Sequence, residues 1–157
     1  MSPATHLWLI LLKTHASLKA HAEAQVESFD LGFSDFAVLE VLLHKDSLPV
    51  NKIGWMVRLS SGSITAAVDR LQSRSLVERF SHPTDRRTRM VRLTAAGREL
   101  AARAFEQHVR AIEHASAGLT AGEQDQAAAL LKRLGRYAAE LEPLTPGPAN
   151  PVVASKK

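Results

Sequence analysis

The chain has 157 residues, of which 45% are apolar and 23% charged, the make-up of one folded domain of ordinary size. It has no cysteine, which excludes disulfides, thiolate chemistry and the common cysteine zinc sites. Its net charge of +4 is concentrated: between Arg58 and Arg98 nine arginines and no lysine stand against three acids, a local balance of +6, while the remainder holds eleven basic residues against thirteen acids, a balance of −2.

In chain order, His6 to Phe29 lacks Gly and Pro and carries Leu7, Leu11, Leu18, Ala22 and Val26 at helical spacing, so one long helix is expected. Its WLILL run is too short to span a bilayer and no signal-type cleavage site follows, so a cytoplasmic protein without a membrane helix is expected. After the loop DLG, Ser34 offers an N-cap for DFAVLEVLLHKD, a second helix with Phe36, Leu39, Leu42 and Leu43 as its apolar stripe. Pro49 can open a third helix, VNKIGWMVRL, with Ile53, Met56 and Val57 facing inward. Gly54 inside that short helix weakens it unless a neighbouring helix needs the close approach.

A fourth helix starts after Ser60 or Ser61, with Ile64, Val68 and Leu71 toward the core. Its opposite face, Gly62, Ala66, Asp69 and Ser73, flanked by Ser63, Thr65 and Arg70, is small and polar. Such a face suits a helix lying deep in a groove of nucleic acid, and it equally describes an ordinary solvated surface. LVERF and RTRMVRLT then read as two strands joined by SHPTDR, a hairpin with Met90 and Arg92 on one face and Arg89, Val91 and Leu93 on the other. A hairpin directly after such a helix is a wing.

Thr94 can cap a long fifth helix carrying Leu100, Ala104, Ala111 and Ala115, widened by Phe105, Val109 and Ile112. Thr120 with Glu123 forms a capping box for a sixth, followed by Ala127, Leu130, Leu131, Leu134, Ala138 and Leu141. The tail holds four prolines in PLTPGPANPVVASKK and is expected to be disordered. The expected fold is therefore mainly α with a small β-hairpin, a winged helix-turn-helix flanked by long N- and C-terminal helices. Residues 5–30 and 95–141 would serve dimerisation, residues 34–94 would form the DNA-binding lobe, and residues 143–157 the tail. Apolar stripes at both ends of the chain call for a partner, and a symmetric homodimer reading a pseudo-palindromic duplex fits both.

The seven histidines show no H-E-x-x-H, and His15 with His21, like His108 with His114, fall on different sides of a helix, so no metal and no cofactor is expected. Ser63 and His82 are residue types without a constellation, so the chain is not expected to be an enzyme.

Three segments together, VNKIGWMVRLSSGSITAAVDRLQSRSLVER, DRRTRMVRLTAAG and the helices around them, resemble the multiple-antibiotic-resistance regulator (MarR) family of bacterial transcription factors. The likeness extends over nearly all of Thr5 to Leu141. It implies a dimeric, sequence-specific double-stranded DNA-binding regulator, in the commoner mode a repressor released by a small phenolic or other aromatic ligand. In that family the fourth helix enters the major groove and the wing the adjacent minor groove. By position, Ser61, Ser63, Thr65 and Arg70 would be the recognition-helix contacts, and Asp85, Arg86, Arg87 and Arg89 the wing contacts. Trp8, His15, Trp55 and Arg58 would line the ligand pocket. One departure is Ser75, where the family usually has glycine. The competing reading is a winged-helix module for RNA or a protein partner, whose fourth helix would present apolar or aromatic bulk outward.

Overall fold

The structure is a computed structural model and describes residues 1–81 and 88–143. In chain order it comprises α1 (Pro3–Glu27), α2 (Phe33–Lys45), β1 (Ser47–Pro49), α3 (Val50–Met56) and α4 (Ser61–Ser73). These are followed by β2 (Val77–Ser81), β3 (Arg89–Leu93), α5 (Ala95–Ser116) and α6 (Ala121–Glu140). Residues 1–117 form one unit and those from Gly118 onward a second.

The core of the first unit gathers Phe36, Val38, Leu39 and Leu42 of α2 with Ile53, Ile64, Val68, Leu71, Val77 and Val91. Burial of several aliphatic side chains at about 1.5–3 kcal/mol each is what drives α2, α3, α4 and the sheet together. Gly54 has the packing reason its position suggested: a Cβ there would come within 3.1 Å of Ile64 Cγ2, so a bare backbone lets α3 close on α4. Met56, expected inward, is 37% exposed, because α3 ends at that residue and Val57 and Arg58 already turn toward α4. α2 begins slightly earlier than expected. Gly32 in extended conformation is its N-cap, and Ser34 sits inside the first turn, where its hydroxyl accepts from Arg70.

The sheet has three strands, not two, in the order β1-β3-β2 and all antiparallel. β1 pairs Leu48 with Val91, and β2 pairs Val77 with Leu93. Three residues ending in proline carry no strand pattern of their own; β1 forms because β3 offers it an unpaired edge. Along β3 the alternation holds from Val91 onward, with Val91 and Leu93 buried and Arg92 exposed, while Arg89, on the Val91 face, is exposed at the start of the strand.

Thr94 caps α5, its hydroxyl oxygen accepting from the Gly97 amide at 3.0 Å and donating to the Ser75 carbonyl at 2.7 Å. The Thr94 amide donates to the Leu76 carbonyl at 3.1 Å. These bonds press the first turn of α5 onto the α4–β2 connection, and a Cβ on Gly97 would lie 1.8 Å from the Leu76 oxygen. α5 also packs along α1 and α2, burying Ala101 and Ala104 against the core, while α1 contributes Ala22 and Val26 from its C-terminal half. The N-terminal half of α1 leaves Leu7, Trp8, Ile10 and Leu12 exposed.

Ser75 is left-handed, with φ of 57°, at the point where its amide closes on the Gln72 carbonyl to end α4. Non-glycine residues reach this region at a cost of about 1 kcal/mol. Ser75→Gly is therefore expected to stabilise the protein by about that amount, read as a higher urea midpoint at unchanged slope. A lower midpoint would show that the Ser75 side chain contributes more than its backbone loses.

In the second unit, α6 begins on the expected capping box. The Thr120 hydroxyl oxygen accepts from the Glu123 amide, and the Glu123 carboxylate accepts from the Thr120 amide and hydroxyl at 2.8 Å each. These bonds hold the Glu123 carboxyl below the usual carboxylate range, so the cap is complete at neutral pH and is lost as pH falls through that lowered value. α6 buries no residue; Leu130, Leu131, Leu134 and Tyr137 are all exposed.

Candidate nucleic-acid interface

α4 is fixed on its inner side by Ile64, Ala67, Val68 and Leu71, all buried. Its start is set by Ser60, whose side chain accepts from the Ser63 amide at 3.2 Å and shares a 2.8 Å bond with the Ser63 hydroxyl. One turn on, the Thr65 hydroxyl donates to the Ser61 carbonyl at 2.9 Å. Ser61, Gly62, Ser63, Thr65, Ala66, Asp69 and Ser73 are exposed, which gives α4 an outer surface of short side chains, with Arg70 and Gln72 as its only long ones.

Arg70 is also exposed on this helix, but its guanidinium turns back to α2. Nε donates to Asp35 Oδ2 at 3.1 Å and Nη2 to Asp35 Oδ1 at 2.5 Å. Asp35 is only 5% exposed, the one buried charged residue among those described. The hydrogen bonds that the guanidinium donates to this carboxylate, and then the carboxylate's charge, raise the Arg70 pKa further above its ordinary value. The pair joins the recognition-helix candidate to the first turn of α2.

The remaining arginines of the basic segment behave similarly. Arg74 reaches the Asp30 carbonyl and carboxylate, and Arg79 spans from β2 to Asp69 and Gln72 of α4 at 2.7 Å each. Arg92 bonds Glu78 across the sheet at 2.6 Å and lies over the Phe80 ring, and Arg98 bonds Asp46 at 3.0 Å. Arg86 and Arg87 lie outside the described residues, as does Asp85. Of the other seven arginines between Arg58 and Arg98, five therefore tie one segment of the chain to another. Only Arg58 and Arg89 make no ion pair with a described residue. The arginine cluster is thus partly internal bracing, and the excess positive charge available to a polyanion is smaller than the sequence count.

Arg89, at the start of β3, shares a cleft with Ser61, Asn51 and Gly54 where α3, α4 and the sheet meet. The structure so brings one expected wing residue beside one expected recognition-helix residue. The four pocket candidates are not brought together in this way. Trp55, 81% exposed, and Arg58, left-handed at the end of α3, border a shallow cleft with Met56 and Leu59, whereas Trp8 and His15 stand exposed on α1 and do not line it. A more apolar cleft lies between α2 and α3, lined by Phe33, Ala37, Val41, Met56 and Val57 with His44 and Lys45 at its side. Sequence reasoning did not identify that cleft, nor Asp35, because both depend on contacts between residues far apart in the chain. A signal for Asp35 was present: an acid set between Phe33 and Phe36 inside the first turn of a helix. Among the described residues no three His, Cys, Asp or Glu gather as a metal group, and no helix is long and apolar enough to cross a membrane.

The MarR family profile matches residues 34–88. The HTH-type transcriptional regulator MhqR of Bacillus subtilis (strain 168) is 34% identical over 129 residues, covering 82% of this chain and 89% of that protein. A crystal structure described as a "probable transcriptional regulator" from Pseudomonas aeruginosa is 27% identical with a TM-score of 0.72, covering 80% of this chain and 94% of that one. A MarR mutant from E. coli, crystallised with operator DNA, is 22% identical with a TM-score of 0.74, covering 82% of this chain and 92% of that one; this is a likeness of fold.

Proposed function

The chain belongs to the MarR family of DNA-binding transcriptional regulators and is not an enzyme, and we propose that it acts as a homodimeric repressor that a small aromatic ligand releases from a pseudo-palindromic operator. The observation that carries the reading is the outer face of α4: exposed, short in its side chains and rigidly mounted on the core and on Asp35. A helix so presented fits the major groove, which is about 12 Å wide. Ser61, Ser63 and Thr65 would contact it, Arg89 and the wing residues Asp85, Arg86 and Arg87 would reach the adjacent phosphates or minor groove, and Arg70 would act by orienting the helix. For the ligand, the cleft between α2 and α3 supplies apolar walls with Lys45, beside Glu40 and His44, as the cationic partner of an aromatic anion; Trp55 and Arg58 border the cleft at the end of α3, and Trp8 and His15, on α1, line neither.

The exposed Leu130, Leu131, Leu134 and Tyr137 of α6, and Trp8 and Ile10 of α1, support the dimer, since large apolar side chains gathered on one helix mark an interface. Leu134→Glu is expected to shift the protein from dimer to monomer at low micromolar concentration in sedimentation. A folded dimer under those conditions removes Leu134 from the interface.

The test of the whole reading is a fluorescence-polarisation titration against duplexes from the upstream region of its own gene, with a scrambled duplex as control and several salt concentrations. Selective binding that weakens steeply with salt supports it. Equal, weak binding to both duplexes counts against it and favours a module for RNA or protein. In the same assay Arg87→Ala is expected to weaken binding and to flatten the salt slope by about one unit, the share of a single phosphate partner. Unchanged affinity at every salt concentration removes Arg87 from the DNA interface.

A further inference from the structure

The polar side chains of α4 are largely occupied within the protein. The Ser63 hydroxyl is bonded to Ser60, that of Thr65 to the Ser61 carbonyl and that of Ser73 to the Arg70 carbonyl. Asp69 and Gln72 are both held by Arg79, and Arg70 by Asp35. Readout by long hydrogen-bonding side chains, the bidentate Arg, Asn or Gln contacts that separate guanine from adenine, has little to draw on here.

What the outer face offers is methyl groups. With its hydroxyl proton given to Ser61, Thr65 presents its Cγ2 methyl, and Ala66 beside it is exposed. Gly62 lies on the same face, three and four positions earlier. Its backbone has no positive φ, and a Cβ there would meet nothing within 4 Å. Neither conformation nor space inside the chain calls for glycine at this helical position, where glycine is the less stable choice. Its bare backbone leaves room for something that approaches the helix more closely than a side chain would allow.

In the major groove, the feature that answers to exposed methyls is the thymine 5-methyl, which threonine and alanine contact by van der Waals packing. We propose that α4 recognises thymine in its half-site through the Thr65 Cγ2 methyl and the Ala66 Cβ, with Gly62 admitting the helix to that depth. This rests on the regulator reading above and deepens it into a base preference.

The probe is a duplex selected from random sequence by the full-length protein. Each thymine of the selected half-site is then replaced by deoxyuridine, which removes the methyl and nothing else. Binding is expected to weaken about four-fold at one or two positions per half-site, the factor supplied by burying about one methyl. Thr65→Ser is expected to lower affinity for the thymine duplex by a similar factor and to shrink the thymine-to-uracil difference, while Thr65→Val retains that difference. Gly62→Ala is expected to bind more weakly although its urea midpoint is equal or higher, opposite movements that a purely structural role does not produce. A selected duplex that tolerates deoxyuridine at every position overturns the thymine proposal and leaves the regulator reading standing. Failure to select any duplex over a scrambled one overturns both.

Discussion

Gly97→Ala is expected to cost about 3 kcal/mol or more, enough to leave much of the protein unfolded at physiological temperature. The atom in the way is the Leu76 carbonyl oxygen, 1.8 Å from where the new Cβ would sit, with its carbonyl carbon at 2.7 Å. Both are backbone, so no rotamer change relieves the overlap. The first turn of α5 must lift off the α4–β2 connection, and in doing so it strains the three bonds that Thr94 makes to Gly97, Ser75 and Leu76. Overpacking alone costs about 1–3 kcal/mol, and loss of a helix cap adds about 1. Urea denaturation followed by circular dichroism reads the effect. A variant of wild-type stability would mean that α5 does not start against Leu76.

The second large effect is asymmetric. Arg70→Ala is expected to destabilise by about 2 kcal/mol, because it strands a carboxylate that is only 5% exposed. The figure lies below the usual 3–5 kcal/mol for a broken buried pair because the Arg70 side chain is itself 52% exposed and water screens part of the interaction. Asp35→Ala leaves the opposite partner behind, a guanidinium already half in solvent, and is expected to cost about 1 kcal/mol. The double variant should cost less than the two together, since either single change already breaks the pair. Equal penalties for the two single variants would contradict the burial of Asp35. Because Arg70 is committed to Asp35, its loss should leave the salt dependence of DNA binding in place, whereas a phosphate contact would lower the slope.

Much of this molecule is legible in its sequence because most of its elements are long enough to display a period. The stripe Ile64, Val68 and Leu71 identifies the inner face of α4, and Ser60, Thr94 and Thr120 act as caps where their chemistry suggests. Ser75 departs from the glycine usual in its family and still adopts the left-handed geometry that the position demands. The illegible parts are those decided by distant partners. β1 is three residues long and exists through its pairing with β3, some forty positions later. The roles of the arginines invert for the same reason: composition reads nine as a polyanion surface, but thirty-five residues separate Arg70 from the acid that holds it, and Arg98 lies fifty-two from Asp46. The glycine of V-R-L-T-x-x-G is visible as a letter in a motif, whereas its reason, a carbonyl from another segment, is visible only in three dimensions.

The short β1 strand bears on how the protein tolerates crowding. With the order β1-β3-β2, the central strand has both flanks occupied, and the sheet can grow only by adding a strand to β1 or β2. β1 is a poor template for that, because it is three residues long and ends in Pro49, which has no amide proton to offer. β2 carries Glu78 and Arg79, whose charges would have to be dehydrated as a second molecule docked along it. Many copies can therefore meet at high local concentration without their sheets fusing edge to edge into aggregates.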